Sequence, residues 1–235
     1  MQIVKIDNIR QPESSALTSA VEVLKQGSVV MHPTETCYGF AVDIFQQQAL
    51  QMLYDVKKMA LDKPVSMMVR SLEEALQYAE FNPLAYKIAE KFWPGPVTLI
   101  LSRKKSLPYF FNQKHLTVGI RCPDSVLTQA LIEGVGRPLS TTSANISGEP
   151  EVYDVATFLE QLDQNSGVAG GAVLKSSGVS ALPAVKPGLI LDAGQIEKTR
   201  PSTLVVFEND QPVFLREGPI GKEIRMFVSS LVSAG

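Results

Sequence analysis

Four stretches of this chain carry residue types that could recognise an anion, and each begins where an apolar run breaks off. The first, "HPTETCYG", follows Val29-Val30-Met31 and places two threonine hydroxyls, the Glu35 carboxylate, the Cys37 thiol and the Tyr38 phenol side by side. A loop that only reverses the chain rarely needs such mixed chemistry. The second, "VKKMALDKP", crowds Lys57, Lys58 and Lys63 at the end of a helical pattern. It reads either as a solvated basic face helped by the helix dipole or as an anion site. In the third, "TVGIRCP", Arg121 ends a strand-like run whose alternate residues are apolar. A buried guanidinium needs a partner, and an internal carboxylate or a ligand anion would serve. The fourth, "STTSANISG", gathers Ser140, Thr141, Thr142, Ser143 and Ser147 around Asn145. Singly these are turn residues; together they could donate several hydrogen bonds to carboxylate or phosphate oxygens without adding charge.

Other chemistries find no support. Lys175 follows Leu174 rather than glycine, so no phosphate-cradling Walker loop exists, and no G-x-G-x-x-G follows a strand. There is no G-x-S-x-G elbow, no H-E-x-x-H and no paired C-x-x-C; His32, His115, Cys37 and Cys122 are too scattered to suggest a metal centre. His32 reads as structural, His115 as a surface residue, and both cysteines as buried packing rather than nucleophiles.

The elements that must position these residues alternate. Helices are expected over "PESSALTSAVEVLKQG" up to Gly27, over "QQQALQMLYDVKK", over "SLEEALQYAEF" with Ser71 and Glu74 as a capping box, and over "NPLAYKIAEKFW" with Asn82 as N-cap. Further helices are expected over "DSVLTQALIEG", closed by Gly134, from Asp154 through Gln161, and at the C-terminus, where Ile224, Phe227, Val228 and Leu231 share one face. "SVVM", "PVSMMV", "PVTLILS", "TVGIRCP", "RPLS", "LILDAG", "STLVVF" and "PVFLRE" read as strands. The pattern predicts an α/β fold with an open, twisted, mixed parallel and antiparallel sheet. Ligands bind such sheets beyond the carboxyl ends of the strands, where all four polar breaks could converge.

A net charge of -2 over 235 residues gives no global field for nucleic acid. The two cysteines fit a reducing compartment. With no signal pattern and no membrane-length apolar run, a cytoplasmic protein without membrane contact is expected. The Gly-, Ser-, Ala- and Pro-rich stretch 164–188 lacks periodicity and reads as a variable loop or insertion in a single domain spanning 1–235. Lysines, one strand-end arginine and many hydroxyls, with no evident nucleophile, suit phosphoryl or nucleotidyl transfer, which needs positioning and charge neutralisation above all.

At these residues the chain resembles the YrdC-like family of threonylcarbamoyl-AMP synthases, through "HPTETCYGF", "KKMALDKPVSMMV", "FWPGPVTLIL", "TVGIRCP", "PLSTTSANISGEP", "RPSTLVVF" and "LREG". The resemblance implies an open α/β fold around a concave, positively charged cavity. It implies a reaction joining L-threonine, bicarbonate and ATP, with Mg²⁺, into threonylcarbamoyl-adenylate and pyrophosphate. Partner transferase proteins would then carry the threonylcarbamoyl group to tRNA. By motif, Thr34, Arg121, Thr141 and Ser202 should hold threonine. Lys57, Lys58, Lys63, Thr117, Ser143, Asn145 and Arg216 should meet ATP, with Lys57, Ser143 and Asn145 as the catalytic set. One departure stands out. The family's K-x-R signature reads Lys57-Lys58-Met59 here, and methionine cannot hydrogen-bond a phosphate. That leaves a paralogue with altered substrate, or a non-catalytic member binding tRNA or double-stranded RNA, as alternatives. A carbamoyl-adenylate enzyme is a further one, without the fused domains that chemistry usually accompanies.

Overall fold

The computed structural model describes residues 1–165 and 185–233. Most of the stretch expected to be a variable loop, residues 166–184, lies outside them. Along the chain run β1 (Gln2–Lys5), α1 (Ser14–Lys25), β2 (Val30–Pro33), β3 (Tyr38–Ala41), α2 (Gln47–Lys57), β4 (Ser66–Met68), α3 (Leu72–Ala75), β5 (Ala79–Glu80) and α4 (Pro83–Phe92). They are followed by β6 (Val97–Arg103), β7 (Thr117–Arg121), α5 (Val126–Val135), β8 (Leu139–Ser143), α6 (Val155–Gln164), β9 (Leu189–Asp192), β10 (Thr203–Glu208), β11 (Gln211–Arg216) and α7 (Gly221–Ser233).

Among the described residues these strands form one sheet in the order β1-β9-β2-β3-β8-β4-β7-β6-β10-β11, with β5 on the flank of β6. The pairs β1–β9, β9–β2, β4–β7 and β6–β10 are parallel; the others are antiparallel. The sheet is therefore mixed and open, as the alternation of elements implied.

Side-chain alternation divides the apolar residues between the two faces. Met31, Phe40, Met67, Leu99 and Ile120 belong to the larger core cluster, against which Phe92 of α4 and Phe227 and Val228 of α7 also pack. Val30, Ala41, Met68, Leu139 and Leu189 join Ala16, Ala20 and Leu24 of α1 and Leu127, Leu131 and Ile132 of α5 on the opposite face. Helices α1 and α5 touch one another and cover this second face only over its β1-to-β4 half. Beyond them, over β7, β6 and β10, the face is left to polar and small residues, and the cavity forms there.

Several local expectations hold. Ser71, Asn82 and Asp154 accept the N–H of Glu74, Ala85 and Thr157 as N-caps. Others need correction. The helix expected across "SLEEALQYAEF" is one turn long; hydrogen bonds from Gln77 and Tyr78 tighten its end, and Ala79–Glu80 then pairs with Ser102–Arg103. Edge pairing overrides helical propensity there. Helix α5 runs through Gly134, and Gly136 (φ 84°) takes the left-handed cap instead. Gly134 has another use: a Cβ on it would sit 2.5 Å from Val21 Cγ2, so its bareness lets α5 lie close to α1. Helix α6 extends to Gln164 rather than Gln161. "HPTETCYG" is a tight β2–β3 hairpin, closed by the Thr34 N–H donating to the Cys37 carbonyl at 3.1 Å. It is both a turn and a wall of the cavity.

Candidate functional site

Strand register assembles the site. Thr98 pairs with Arg121, Met68 with both Arg121 and Leu139, and Ser66 with Thr141; Gly39 pairs with Ser143, and Leu204 with Thr98 and Arg216. Residues separated by long stretches of sequence thus face the same way on adjacent strands. With the β2–β3 turn and the segment Pro201–Ser202 they line a cavity of about 240 Å³. Six of the expected residues meet in it: Thr34, Arg121, Thr141, Ser143, Ser202 and Arg216.

Each is held by its neighbours. Thr34 Oγ1 donates to the Cys37 carbonyl at 2.7 Å, fixing the turn. Ser202 Oγ lies 3.1 Å from Thr98 Oγ1 and accepts from Arg216 Nη2 at 3.2 Å, while Arg216 Nε donates to the Ser202 carbonyl at 2.9 Å. Arg216 and Ser202 are one unit. Gly218 explains how that unit is seated. A Cβ there would collide with the backbone of Pro201, Ser202 and Thr203, so the "LREG" glycine is required for close backbone approach. Arg121 Nη2 lies 2.7 Å from Glu35 Oε1, so a carboxylate of the chain answers the strand-end arginine.

The remaining expected residues are placed elsewhere. Lys57 is buried, and its ammonium donates to the Ser143 carbonyl, to the Asn145 carbonyl at 2.9 Å and to Asn145 Oδ1 at 3.3 Å. Asn145 Oδ1 also accepts from Ser143 Oγ at 2.5 Å, and its amide donates to Ile146 and Glu149. Lys57 and Asn145 therefore form a layer beneath Ser143, behind the cavity wall. Burial pushes the Lys57 ammonium down to about 8 while three oxygens favour its charged form, so it is protonated at neutral pH. Lys58 takes the left-handed cap of α2 (φ 50°), and its Nζ donates to the Asn165 carbonyl. Lys63 is exposed and donates to Ser147 Oγ at 3.1 Å. Thr117, at the far end of β7, lies outside the cavity.

Met59 has a structural reason. The Met59 N–H bonds back to the Tyr54 carbonyl and that of Lys58 to Asp55, the double pattern of a Schellman motif. That motif favours an apolar residue at this position, and Met59 packs on the larger core cluster.

Sequence reasoning missed Glu151, Ser66 and Thr98 as cavity residues and assigned Glu35 no partner. Only the β4–β8 and β6–β7 registers reveal Ser66 and Thr98. His32 is buried and pushed down to about 4 by that burial, so it stays neutral; burial lifts the Cys37 thiol to about 11, which removes it as a nucleophile. His115, expected on the surface, is half-buried and hydrogen-bonded to the Asp62 carbonyl. Among the described residues no cluster of His, Cys, Asp or Glu forms a metal site, and Glu151 is the carboxylate lining the cavity. No helix among them is long and apolar enough to cross a membrane.

Fold and site together define an open, mixed α/β protein with a hydroxyl- and guanidinium-lined cavity on the part of one sheet face that α1 and α5 leave uncovered. The chain belongs to the Sua5/YciO/YrdC family, whose model, described as "Telomere recombination", matches residues 22–218. A Methanocaldococcus jannaschii protein, provisionally named threonylcarbamoyl-AMP synthase, is 32% identical over 93% of this chain and 94% of its own length. The Escherichia coli protein YciO, called uncharacterized, is 25% identical over 88% of this chain and 91% of its own. The crystal structure of Pyrococcus abyssi Sua5 complexed with L-threonine superposes with a TM-score of 0.80 at 26% identity, over 97% of this chain. This chain covers 61% of that longer protein.

Proposed function

We propose that this protein is an L-threonylcarbamoyladenylate synthase, a nucleotidyltransferase converting L-threonine, bicarbonate and ATP into threonylcarbamoyl-AMP, pyrophosphate and water. The observation that carries the reading is the convergence of Thr34, Arg121, Thr141, Ser143, Ser202 and Arg216 on one cavity. The P. abyssi relative captured with L-threonine supports the choice of amino acid.

In this reading Arg121 holds the threonine carboxylate, Thr34 and Thr141 meet the amino-acid body, and the Ser202–Arg216 unit closes between threonine and ATP. Ser143 faces the nucleotide, while Lys57 and Asn145 act through it by fixing its turn. Lys58, Lys63 and Thr117 would serve outlying parts of the triphosphate and nucleoside. The amine of threonine adds to bicarbonate with loss of water; a carbamate oxygen attacks the α-phosphorus, and pyrophosphate leaves with the bonding electron pair. No covalent enzyme intermediate is required, which suits a site whose thiol is neutral. Glu151, the one carboxylate lining the cavity among the described residues, fits a Mg²⁺ ion that would arrive on the triphosphate rather than one held by the protein alone. Downstream transferase proteins would pass the threonylcarbamoyl group to tRNA.

The second reading, a paralogue with altered substrate, draws on the α2 terminus, where Met59 packs inward and Lys58 is turned to Asn165. Pyrophosphate release separates the two. The first requires release that depends on both threonine and bicarbonate; release no higher than in a no-threonine control excludes it.

A further inference from the structure

The pairing of Arg121 with Glu35 is close in distance and poor in geometry. The Arg121 and Glu35 side chains are only 8% and 19% exposed. Nη2 and Oε1 are 2.7 Å apart, yet Arg121 Nε and Nη2 and Glu35 Oε2 are sealed from solvent without a well-aligned hydrogen-bond partner. Glu35 Oε1 instead accepts from the Asp124 N–H at 3.1 Å. A buried ion pair repays its desolvation only when the remaining donors and acceptors are also satisfied, and here they are not. The arginine is therefore held by a partner that a better-aligned carboxylate could replace.

Two further features make replacement feasible. The Glu35 backbone is anchored, because Thr199 Oγ1 donates to the carbonyls of Glu35 and Thr36 at 3.2 and 3.0 Å; only the side chain has to move. It also has somewhere to go. Arg121 lines the 240 Å³ cavity, whereas Glu35 lines a second cavity of about 760 Å³, with Asp124, Thr199, Arg200, Glu217 and Lys222. Glu35 is thus shared between Arg121 of the first cavity and the polar lining of the second, where Arg200 and Lys222 balance the charges of Asp124 and Glu217.

We propose that Glu35 is a placeholder carboxylate, which holds the Arg121 guanidinium until a ligand carboxylate takes it and reclaims it when product leaves. This rests on the assignment of the cavity to an amino acid. It adds that Glu35, on the "PTET" turn, sets how tightly the carboxylate end is gripped. A residue that merely oriented Arg121 would strengthen ligand binding; a placeholder weakens it and speeds release.

The sign of one effect tests this. The full chain, wild type and E35Q, is titrated calorimetrically with L-threonine, with L-threoninamide, which lacks the carboxylate charge, and with acetate as a minimal carboxylate. Glutamine keeps the shape and an acceptor but removes a negative charge that competes for the guanidinium beside the ligand carboxylate, a repulsion worth on the order of tenfold in affinity or more in a partly buried site. Threonine and acetate should bind E35Q at least about tenfold more tightly than wild type, while threoninamide, a cation without the carboxylate, gains nothing from the substitution. Equal or weaker binding of both carboxylates by folded E35Q overturns the proposal. If E35Q does not fold, E35D, whose shorter side chain withdraws from the guanidinium, should tighten binding of both carboxylates by a smaller factor; unchanged or weaker binding again overturns it. Wild-type protein that binds acetate but not threonine would refute the amino-acid assignment, and the acetate comparison would still decide the role of Glu35.

Discussion

Replacing Lys57 by methionine tests the layered arrangement beneath the cavity. Methionine has nearly the length of the lysine stem and fits a buried site, but it removes the ammonium that donates to Ser143 and Asn145. Two carbonyls and one amide oxygen then lose a charged donor inside the protein. Hydrogen bonds to charged groups contribute about 1.5–3 kcal/mol each, and relief of the ammonium's own desolvation offsets part of their sum, so a net loss of roughly 2–4 kcal/mol is expected. For a chain of this size that corresponds to a melting temperature lower by roughly 5–15 °C.

A pH series adds a signature that simple loss of packing would not produce. The Lys57 ammonium titrates at about 8 in the folded protein against 10.5 for an ordinary lysine. Below about pH 8 both states hold the proton and Lys57 contributes no slope. Between about 8 and 10.5 the unfolded chain binds the proton and the folded chain does not, so stability from this group rises with pH. The wild type should therefore gain stability relative to K57M from pH 7.5 to pH 10, measured by urea unfolding. A K57M protein that melts within about 2 °C of wild type at pH 7, or a difference between the two that does not change with pH, would refute this account of Lys57.

Three other outcomes are expected. M59R should retain near-native stability, because an arginine stem can cover the same apolar surface, and should lower the KM for ATP in a pyrophosphate-release assay; an unchanged KM would show that the lysines already supply that charge. G218A should unfold or melt at least 10 °C lower, since its Cβ meets the fixed backbone of residues 201–203 rather than a movable side chain, a loss of roughly 3 kcal/mol or more for this chain size, checked by circular dichroism melting. Neutral, buried His32 titrates at about 4 against 6.5 when unfolded, so stability is lost as pH falls from 6.5 toward 4, by about 3 kcal/mol in the limit; H32Q should lose less over that range in urea titrations at pH 7 and 4.5.

The residues that sequence could place and those it could not are separated by a physical distinction. Caps were legible because Ser71, Asn82 and Asp154 act on neighbours three residues away, a spacing written in the chain itself. The polar breaks were legible because a run of buried residues that stops at threonines or arginine has few purely structural explanations. What escaped depended on register between strands far apart in sequence. Ser66 enters the cavity because β4 pairs with β8 to set it opposite Thr141, and Thr98 because β6 pairs with β7 to set it opposite Arg121. A shift of one residue in either pair would turn these hydroxyls into the core. Lys57 escaped for the opposite reason. Its motif predicts contact with phosphate, but the end of β8 and the turn after it bring the Ser143 and Asn145 carbonyls over the end of α2, and in a buried place those oxygens bind the ammonium first. A motif therefore identifies which residues belong to a site. Whether each one touches the ligand or supports a neighbour that does is decided by the long-range pairing that surrounds it, as the contrast between Ser143 at the cavity and Lys57 beneath it illustrates.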